Sequence, residues 1–374
     1  AACALIALAA SGWGANKTAT GSYLTYVGTY TNKGKSEGVY SFRFDSATGK
    51  LTAMGLAVKT QNPSFLAVHP NRRFLYSVSE GDGAGAVNAF SINAATGQLT
   101  LINSVSSKGA GPCYVGVDNT GKYVFVANYG SGSIAAFPVK DDGGLGDATA
   151  FIQHKGSSAN PQRQSGPHAH YIHVSPDNRF VIVADLGLDE VLVYRFDASV
   201  GTLTPNQFPY AKVDPGAGPR HFAFHPNGRF GYVVTEMGST VVAFTWNGAT
   251  GQLRNLQTIS ALPKGFTGES TGAEIAVHPN GKFLYSSNRG DDSIAVFSIN
   301  PGKGTLKLDE NVSVQGKEPR FFTLDPTGRY LFAANQNSDN LVLFHVDQKT
   351  GRLTPADVNI PIGAPVCVVF VPTP

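Results

Sequence analysis

The stretch from Pro219 to Thr235 decides the fold, and it reads PRHFAFHPNGRFGYVVT. Two mainly apolar runs lie on either side of the turn sequence Pro226-Asn227-Gly228. Because Asn and Gly tolerate the positive φ angles of tight connections, the pattern predicts two antiparallel strands joined by a turn. A third apolar run follows at Val241 to Trp246, and a fourth strand is expected to begin near Leu253. The local unit is therefore four short strands.

This unit recurs along the chain. Its copies begin at Pro63, Pro112, Pro167, Pro219, Gly272 and Pro319. Each contains a basic residue followed by Phe or Tyr, with the basic residue at position 73, 122, 179, 229, 282 or 329, so the spacings are 49, 57, 50, 53 and 47 residues. Four antiparallel strands in a repeat of roughly 40 to 50 residues are typical of a β-propeller blade.

The two ends of the chain predict one further blade. Ala364 to Val371 (APVCVVFV) resembles the first strand of the unit, with no second, third or fourth strand after it. Tyr23 to Thr29, Gly38 to Phe44 and Leu51 to Val58 resemble the three strands that are missing. Joining the ends would hide the edges that an open sheet exposes. We therefore predict an all-β protein with one domain, 22–374, that is a closed seven-bladed propeller with four antiparallel strands per blade.

Composition agrees with this fold and excludes several functions. The 374 residues include Gly 43 and Pro 22, and only 15% are charged, against roughly 25% in an ordinary soluble protein. A net charge of +3 without a basic stripe excludes nucleic acid as a partner. Cys3, Cys113 and Cys367 are too few and too scattered for a disulfide framework or a zinc site. Cys113 and Cys367 are expected to be buried apolar residues.

The N-terminal run Ala1 to Ala10 (AACALIALAA) is unbroken and apolar. It predicts that residues 1–21 lie outside the propeller as the rear of a secretory signal peptide, with Ala7-Leu8-Ala9 as the small-x-small cleavage site. The run is too short to span a bilayer. This interpretation implies an exported protein, periplasmic or secreted. The alternative is a disordered apolar tail on a cytoplasmic protein.

One face of the propeller is predicted to carry the chemistry. The start of the first strand of a blade and the end of the second meet at the same face, because the two strands are antiparallel. At strand starts, this rule brings to that face Ser64, Cys113, His168, His170, Arg220, Glu274, Arg320 and Val366. At strand ends, it brings Tyr30, Glu80, Asn128, Tyr129, Asp185, Glu236, Asn288, Arg289, Asn335 and Gln336. Acids, bases and cations around a concavity indicate a site for a small anionic substrate, since the planar guanidinium binds two oxygens of a carboxylate or phosphate.

The opposite face carries the repeated His-Pro-Asn turns that contain His69, His225 and His278, which we interpret as structural. Three questions about the first face stay open. His168 and His170 could bind a metal together with Glu274 or Asp185. Glu274 is as well suited to a salt bridge with Arg220 or Arg320 as to a role in the site. Arg163 lies on an insertion that either covers the site or, as the sequence slightly favours, forms a surface loop.

Several motifs resemble those of a known family. They are Val27-Gly28-Thr29-Tyr30-Thr31, Val126 to Gly132 (VANYGSG), Gly166-Pro167-His168-Ala169-His170, Ala184-Asp185-Leu186-Gly187, Gly218-Pro219-Arg220-His221, Ser287-Asn288-Arg289-Gly290 and Ala334-Asn335-Gln336. With them, nearly all of the chain from Tyr23 to Pro374 resembles the propeller-type 6-phosphogluconolactonases, a family similar to the fungal carboxy-muconate cyclases. The four residues proposed as the active site of that family fall on His170, Arg220, Glu236 and Arg289.

The resemblance implies hydrolysis of a sugar δ-lactone, with no cofactor and no metal. Glu236 or His170 would activate a water, and the other would protonate the leaving ring oxygen. Glu236 can serve as the base if burial raises its pKa toward neutrality. Arg220 and Arg289 would bind the substrate anion and stabilise the oxyanion. His168, Tyr129, Glu274, Arg320, Asp185 and Gln336 are the expected substrate-binding residues.

Two other functions remain open at this point. One is a lactonising cyclase that acts on a dicarboxylate with the same residues, and the other is a non-catalytic propeller that binds a ligand or a protein. The expected partner in the main interpretation is a small lactone, with no nucleic acid and no membrane span. A closed propeller needs no partner chain, so we expect a monomer.

Overall fold

The computed structural model describes residues 21–32, 35–81 and 83–373. Within these ranges the chain forms 28 strands in seven sheets of four, and no helix is present. The prediction of an all-β, seven-bladed propeller is confirmed. The predicted signal segment falls almost entirely on residues 1–20, which lie outside the described ranges.

The strands occupy four radial positions. The innermost strands are β4 (Leu66–Val68), β8 (Pro112–Val117), β12 (Ala169–Val174), β16 (Pro219–Phe224), β20 (Thr271–Val277), β24 (Pro319–Leu324) and β28 (Pro365–Pro372). The second strands are β1 (Ser22–Thr29), β5 (Phe74–Ser79), β9 (Tyr123–Asn128), β13 (Phe180–Asp185), β17 (Phe230–Thr235), β21 (Phe283–Arg289) and β25 (Tyr330–Asn335).

The third strands are β2 (Gly38–Asp45), β6 (Ala84–Ile92), β10 (Ser133–Pro138), β14 (Glu190–Asp197), β18 (Thr240–Asn247), β22 (Ser293–Ile299) and β26 (Asn340–Val346). The outer strands are β3 (Lys50–Lys59), β7 (Leu99–Ala110), β11 (Ala150–Gln153), β15 (Thr202–Lys212), β19 (Gln252–Ser260), β23 (Leu306–Ser313) and β27 (Leu353–Pro361). Each innermost strand contacts its counterparts in the two neighbouring blades, so the ring surrounds a central channel.

The ring is closed by strands from both ends of the chain, as predicted. β28 pairs antiparallel with β1, in a register that places Leu24 opposite Val371. Beyond the ladder, the Thr373 amide donates a 3.0 Å hydrogen bond to the Ser22 carbonyl. The first blade is therefore complete only when residues more than three hundred positions apart have met.

The hydrophobic core lies between neighbouring sheets. Second strands such as β17 are buried along their whole length, because each is covered by a sheet on both faces. Outer strands such as β27 alternate between partly buried and exposed residues, as expected where one face meets solvent. This arrangement explains why continuous apolar runs in the sequence mark second strands.

We call the face that carries the repeated turns the turn face. On this face, histidine side chains link neighbouring blades. In each case the histidine Nε2 contacts a glycine carbonyl of the next blade at 2.8 or 2.9 Å. The contacts join His69 to Gly121, His225 to Gly281 and His278 to Gly328. At Gly281 (φ 70°) a Cβ would lie 2.8 Å from the ring of His225, so both the conformation and the space require glycine. The structural interpretation of these histidines is confirmed.

Candidate functional site

The face opposite the turn face, which we call the site face, holds a polar cavity of about 380 Å³ at the mouth of the central channel. Its lining comes from all seven blades and from the loop before β12. The lining residues are Tyr30, Glu80, Cys113, Tyr129, Arg163, His170, Glu236, Arg289 and Arg320. We call this space the site cavity.

A local distortion of the innermost strands helps to place these side chains. Five innermost strands, four of which begin with a proline, break register directly after their first residue, so that one residue has no partner opposite. The unpaired residues are Cys113, His170, Arg220, Arg320 and Val366. A β-bulge of this kind re-aims a side chain that regular alternation would direct elsewhere. In β20 the break is longer and takes in Ala273 and Glu274.

Glu236 is held by three arginines. Its carboxylate accepts from Arg163 Nη2 at 2.6 Å, from Arg220 Nε at 3.1 Å and from Arg289 Nη2 at 3.0 Å. The backbone of Glu236 is fixed as well, because its amide donates to the Gly218 carbonyl at 2.7 Å. The carboxylate thus has a single orientation at the centre of the cation cluster.

These contacts set the protonation of Glu236. Burial alone would raise its pKa, but the charges of Arg289 and Arg220 and the hydrogen bond from Arg163 outweigh burial and lower the pKa to about 2. The expectation that burial raises this pKa toward neutrality is wrong. Glu236 is fully ionised at neutral pH and is a weak proton acceptor in the unliganded site.

His170 is buried beside Glu236 in the cavity wall. Burial, followed by the charges of Arg220, His221 and Arg320, holds the pKa of His170 well below its usual value. The imidazole is therefore neutral at pH 7 and has a free lone pair. Its ring meets the ring of Tyr129 edge-on at 5.5 Å, and its Nδ1 has no hydrogen-bond partner in the described chain.

The two predicted anion-binding arginines lie at different depths. Arg289 lines the site cavity, and its Nη2 also donates to the Gly272 carbonyl at 3.1 Å. Arg220 lies beneath the cavity and is only 1% exposed, with its Nη1 donating to the Ala273 carbonyl at 2.7 Å. Burial lowers the pKa of Arg220 to about 10, which leaves it cationic at neutral pH. Arg220 therefore supports Glu236 from below and does not line the space open to a substrate.

Of the six predicted substrate-binding residues, Tyr129 and Arg320 line the site cavity. The other four do not. Asp185 is fully buried, where it contacts His154 Nδ1 at 2.6 Å and accepts from the His168 amide at 2.7 Å. His168 stacks on the outer side of Tyr129, with ring centroids 4.5 Å apart.

Glu274 contacts neither Arg220 nor Arg320, so the interpretation that it forms a salt bridge with one of these arginines is wrong. Its Oε2 lies 3.0 Å from His221 Nδ1, deeper in the channel. Gln336 lies at the rim, where its side chain donates to Asn337. In the described part of the chain, no three His, Cys, Asp or Glu residues come together as metal ligands. Asp185 contacts His154 and Glu274 contacts His221, so neither carboxylate joins the two histidines of the metal alternative.

Three residues that line the cavity were missed or underrated by sequence reasoning. Arg163 reaches the cavity from the loop before β12, and its Nη2 donates both to Glu236 and to the Tyr129 hydroxyl, the latter at 3.1 Å. The slightly favoured interpretation of this segment as a surface loop is wrong. The strand-direction rule placed Tyr30 and Glu80 on this face, directly after second strands β1 and β5, but neither was among the predicted substrate-binding residues.

Neither described cysteine is set up as a nucleophile. Cys113 and Cys367 are free and buried, and burial raises the pKa of both thiols. A protonated thiol in the cavity wall is a packing group. The described residues also include no helix that is long and apolar enough to cross a membrane.

The propeller is similar to known proteins over nearly its whole length. The family model described as "Lactonase, 7-bladed beta-propeller" matches residues 24–370. A 6-phosphogluconolactonase of Bacillus subtilis is 42% identical over 350 residues, which cover 93% of this chain and 98% of that protein. A 6-phosphogluconolactonase of Formosa agariphila is 35% identical over 333 residues, covering 88% of this chain and 94% of that one. The solved structure of the periplasmic gluconolactonase of Pseudomonas aeruginosa is similar with a TM-score of 0.89 at 36% identity, covering 94% of this chain and 100% of that one.

Proposed function

Because this chain belongs to the seven-bladed β-propeller lactonase family, we propose that it hydrolyses 6-phosphogluconolactone or a related aldono-δ-lactone to the hydroxy acid. The observation that carries the proposal is the site cavity, which combines a neutral imidazole with an arginine-clamped carboxylate. A volume of about 380 Å³ suits a single sugar ring.

His170 acts as the base in the reaction that we propose. Its neutral imidazole removes a proton from water as the water oxygen attacks the lactone carbonyl carbon. The ring C–O bond then breaks, and the imidazolium returns the proton to the departing ring oxygen, as one histidine does in both halves of other acyl transfers. The products are a carboxylic acid, which ionises, and a hydroxyl group.

Arg289 stabilises the charge that develops. Its guanidinium lines the cavity, where its Nη2 lies 3.0 Å from Glu236 Oε2. A fixed cation aimed at the carbonyl oxygen favours the tetrahedral oxyanion over the neutral ground state. Glu236 organises the arginines, because it holds Arg289 at 3.0 Å and Arg220 at 3.1 Å before any substrate arrives.

A panel of lactones tests the proposal. Proton release is followed with 6-phosphogluconolactone, glucono-δ-lactone and a muconolactone, and the spontaneous hydrolysis of each is subtracted. We expect saturable hydrolysis of an aldono-δ-lactone. Turnover of the muconolactone alone would favour the cyclase, and turnover of none would favour a binding propeller.

We also propose that the protein is exported and monomeric. The apolar run Ala1 to Ala10 supports export, and the similar Pseudomonas protein is described as periplasmic. Cell fractionation tests location, and light scattering of the purified protein tests the monomer. Sugar phosphates are cytoplasmic metabolites, so export would favour an unphosphorylated or differently charged lactone.

A further inference from the structure

Arg320 differs from the other arginines of the site. Arg163, Arg220 and Arg289 each lie within 3.1 Å of the Glu236 carboxylate. Arg320 also lines the cavity, yet its guanidinium has no carboxylate within 4.0 Å and no hydrogen bond to any residue in the described ranges. None of its nitrogens is among the sealed, unpartnered atoms, so its donors remain accessible.

The surroundings of Arg320 hold it in place without neutralising it. Its guanidinium lies over the Tyr30 ring, 5.4 Å from the centroid. The nearby carboxylate of Glu80 is occupied, since it accepts from the Tyr30 hydroxyl at 2.9 Å and from the Ser64 hydroxyl. The carboxylate of Glu318 approaches Arg289, with 4.0 Å between Oε1 and Nη1, and makes no ion pair with Arg320.

The charged groups of the site carry a net positive charge, which favours the binding of an anion. Three arginines and two glutamates line the cavity, and Arg220 adds a further cation directly below. Burial opposes the charge of Arg320, but Tyr30 and Glu80 outweigh burial and raise the pKa of its guanidinium. Neither group accepts a hydrogen bond from the guanidinium, so its N–H groups are left for the oxygens of a ligand. The guanidinium fork is suited to two oxygens of one phosphate or carboxylate.

We propose that Arg320 binds an anionic group of the substrate that is remote from the lactone carbonyl, and that it thereby selects anionic lactones over neutral ones. This inference rests on the proposed function. The lactone is held between His170 and Arg289, while the anionic group lies against Arg320 near Tyr30. Two sources share this chemistry, a phosphate ester and a second carboxylate.

The test compares three lactones in the wild type and in Arg320→Gln. The substrates are 6-phosphogluconolactone, a glucarolactone that bears a carboxylate at C6, and neutral glucono-δ-lactone. We expect the substitution to lower kcat/KM for one anionic lactone by about a hundredfold, at least tenfold more than for the neutral one. Whichever anionic lactone suffers the larger loss identifies the group.

Two further variants make the result interpretable. Arg320→Lys keeps the charge but loses the fork, so it should recover part of the discrimination. Arg329→Gln is the matched control, because this exposed arginine lies in the same blade on the turn face, where its side chain makes no ion pair. It should behave as the wild type does, and thermal melting verifies that each variant is folded.

Three outcomes would overturn the inference. These are equal losses on all three lactones, no loss on any, and a wild type that prefers the neutral lactone. If the wild type hydrolyses none of them, the proposed function fails, but calorimetric titration with inorganic phosphate still tests Arg320. Binding that Arg320→Gln leaves unweakened would then contradict the anion site by itself.

Discussion

At Glu236, three guanidinium groups from three separate elements meet one carboxylate. The same residue type on a solvated strand end would titrate near its ordinary pKa and would orient nothing. Because Arg220 and Arg289 approach it in a buried setting, the residue becomes a fixed anion around which the cations are ordered. Its proposed role is therefore positioning, and proton transfer falls to His170.

Removing this anion, or one of its cations, should damage catalysis. We expect Glu236→Gln and Arg289→Ala each to lower kcat/KM for the preferred lactone by about a hundredfold, since both disturb stabilisation of the oxyanion. Steady-state proton release measures the effect. Glu37→Gln is the control, because among the described residues the carboxylate of this exposed glutamate pairs with Lys59, which is also exposed. Near wild-type rates in both site variants would contradict the assignment.

The low pKa of Glu236 also predicts how stability depends on pH. Despite burial, the charges of the arginines lower the pKa to about 2 in the folded protein from the ordinary value of 4.5. A depressed carboxyl pKa stabilises the folded state above the unfolded pKa, and this contribution is lost as pH falls from about 4.5 toward about 2. The difference in free energy of unfolding between wild type and Glu236→Gln should therefore shrink by about 3 kcal/mol in total between pH 7 and a pH below 2.

Urea unfolding of the two proteins at pH 7, 5, 4 and 3 checks this expectation. Subtracting one protein from the other cancels the carboxyl groups that they share. The difference should shrink at the lower pH values. A difference that stays constant from pH 7 to pH 3 would show that Glu236 does not have a depressed pKa in the folded protein.

At the scale of elements, the loop before β12 supplies a cavity residue, Arg163, that has no counterpart in the repeated blades. It is anchored at several points, including a 2.8 Å hydrogen bond from Gln164 to the Leu186 carbonyl and a contact between His154 and Asp185 at 2.6 Å. This anchoring allows Arg163 to reach Glu236 even though its side chain is 41% exposed. The loop is thus a built part of the cavity wall.

Arg163→Ala should raise KM and lower kcat/KM for the preferred lactone by about tenfold, because one wall of the cavity and one cation are lost together. The free energy of unfolding should change little, since an exposed ion pair contributes only about 0 to 1 kcal/mol. Gln162→Ala is the matched control in the same loop, because this exposed side chain makes no contact with the described residues of the site. Unchanged kinetics in Arg163→Ala would show that the loop takes no part.

In contrast to Arg163, the histidines of the turn face should matter for stability and not for catalysis. His225→Ala removes a 2.8 Å contact with the Gly281 carbonyl and the bond that its Nδ1 accepts from the Asn227 amide at 3.0 Å. We expect a loss of about 1 to 3 kcal/mol in the free energy of unfolding, because a buried carbonyl is left without its donor. The kcat/KM for the lactone should stay unchanged, since the site lies on the other face. Denaturant unfolding and proton release measure the two quantities, and a normal stability would contradict the fastening role.

At the scale of the whole molecule, the site depends on closure of the ring. β28 lies against β1 and β24, and its Cys367 Sγ accepts from the Leu66 amide at 3.3 Å in the next blade. No single blade contains the cavity, because its lining comes from residues as far apart as Tyr30 and Arg320. A change that opens the ring should therefore lower the stability of the fold and destroy the site cavity at the same time.

Truncation after Gly363 tests this dependence. Removing β28 leaves β1 without its inner partner and exposes the hydrophobic faces of two neighbouring blades. We expect the truncated chain to lose cooperative thermal unfolding and all lactone hydrolysis. The control is the full chain with Thr373→Ala, which removes only the 2.7 Å bond from its hydroxyl to the Ser22 carbonyl. A cooperative transition in the truncated chain would contradict the closure argument.

The amino-acid sequence by itself determined the blades, the closing strand and the face that bears the site. These follow from local rules, since alternating apolar runs and Asn-Gly turns fix strands and their direction wherever they occur. His170, Glu236 and Arg289 could be placed in one cavity on that basis because strand direction is a property of the backbone.

Only the tertiary structure decided how deep each site residue lies, which charged groups form ion pairs and which groups are protonated. Arg220 and Arg320 both follow a motif proline, yet Arg220 lies below the cavity bound to Glu236, whereas Arg320 faces the cavity and forms no ion pair with any described residue. Arg163 reaches the site from an insertion that has no counterpart in the repeat. The pKa of Glu236 depends on which charges come within a few ångströms, and such distances arise only when distant blades close into a ring.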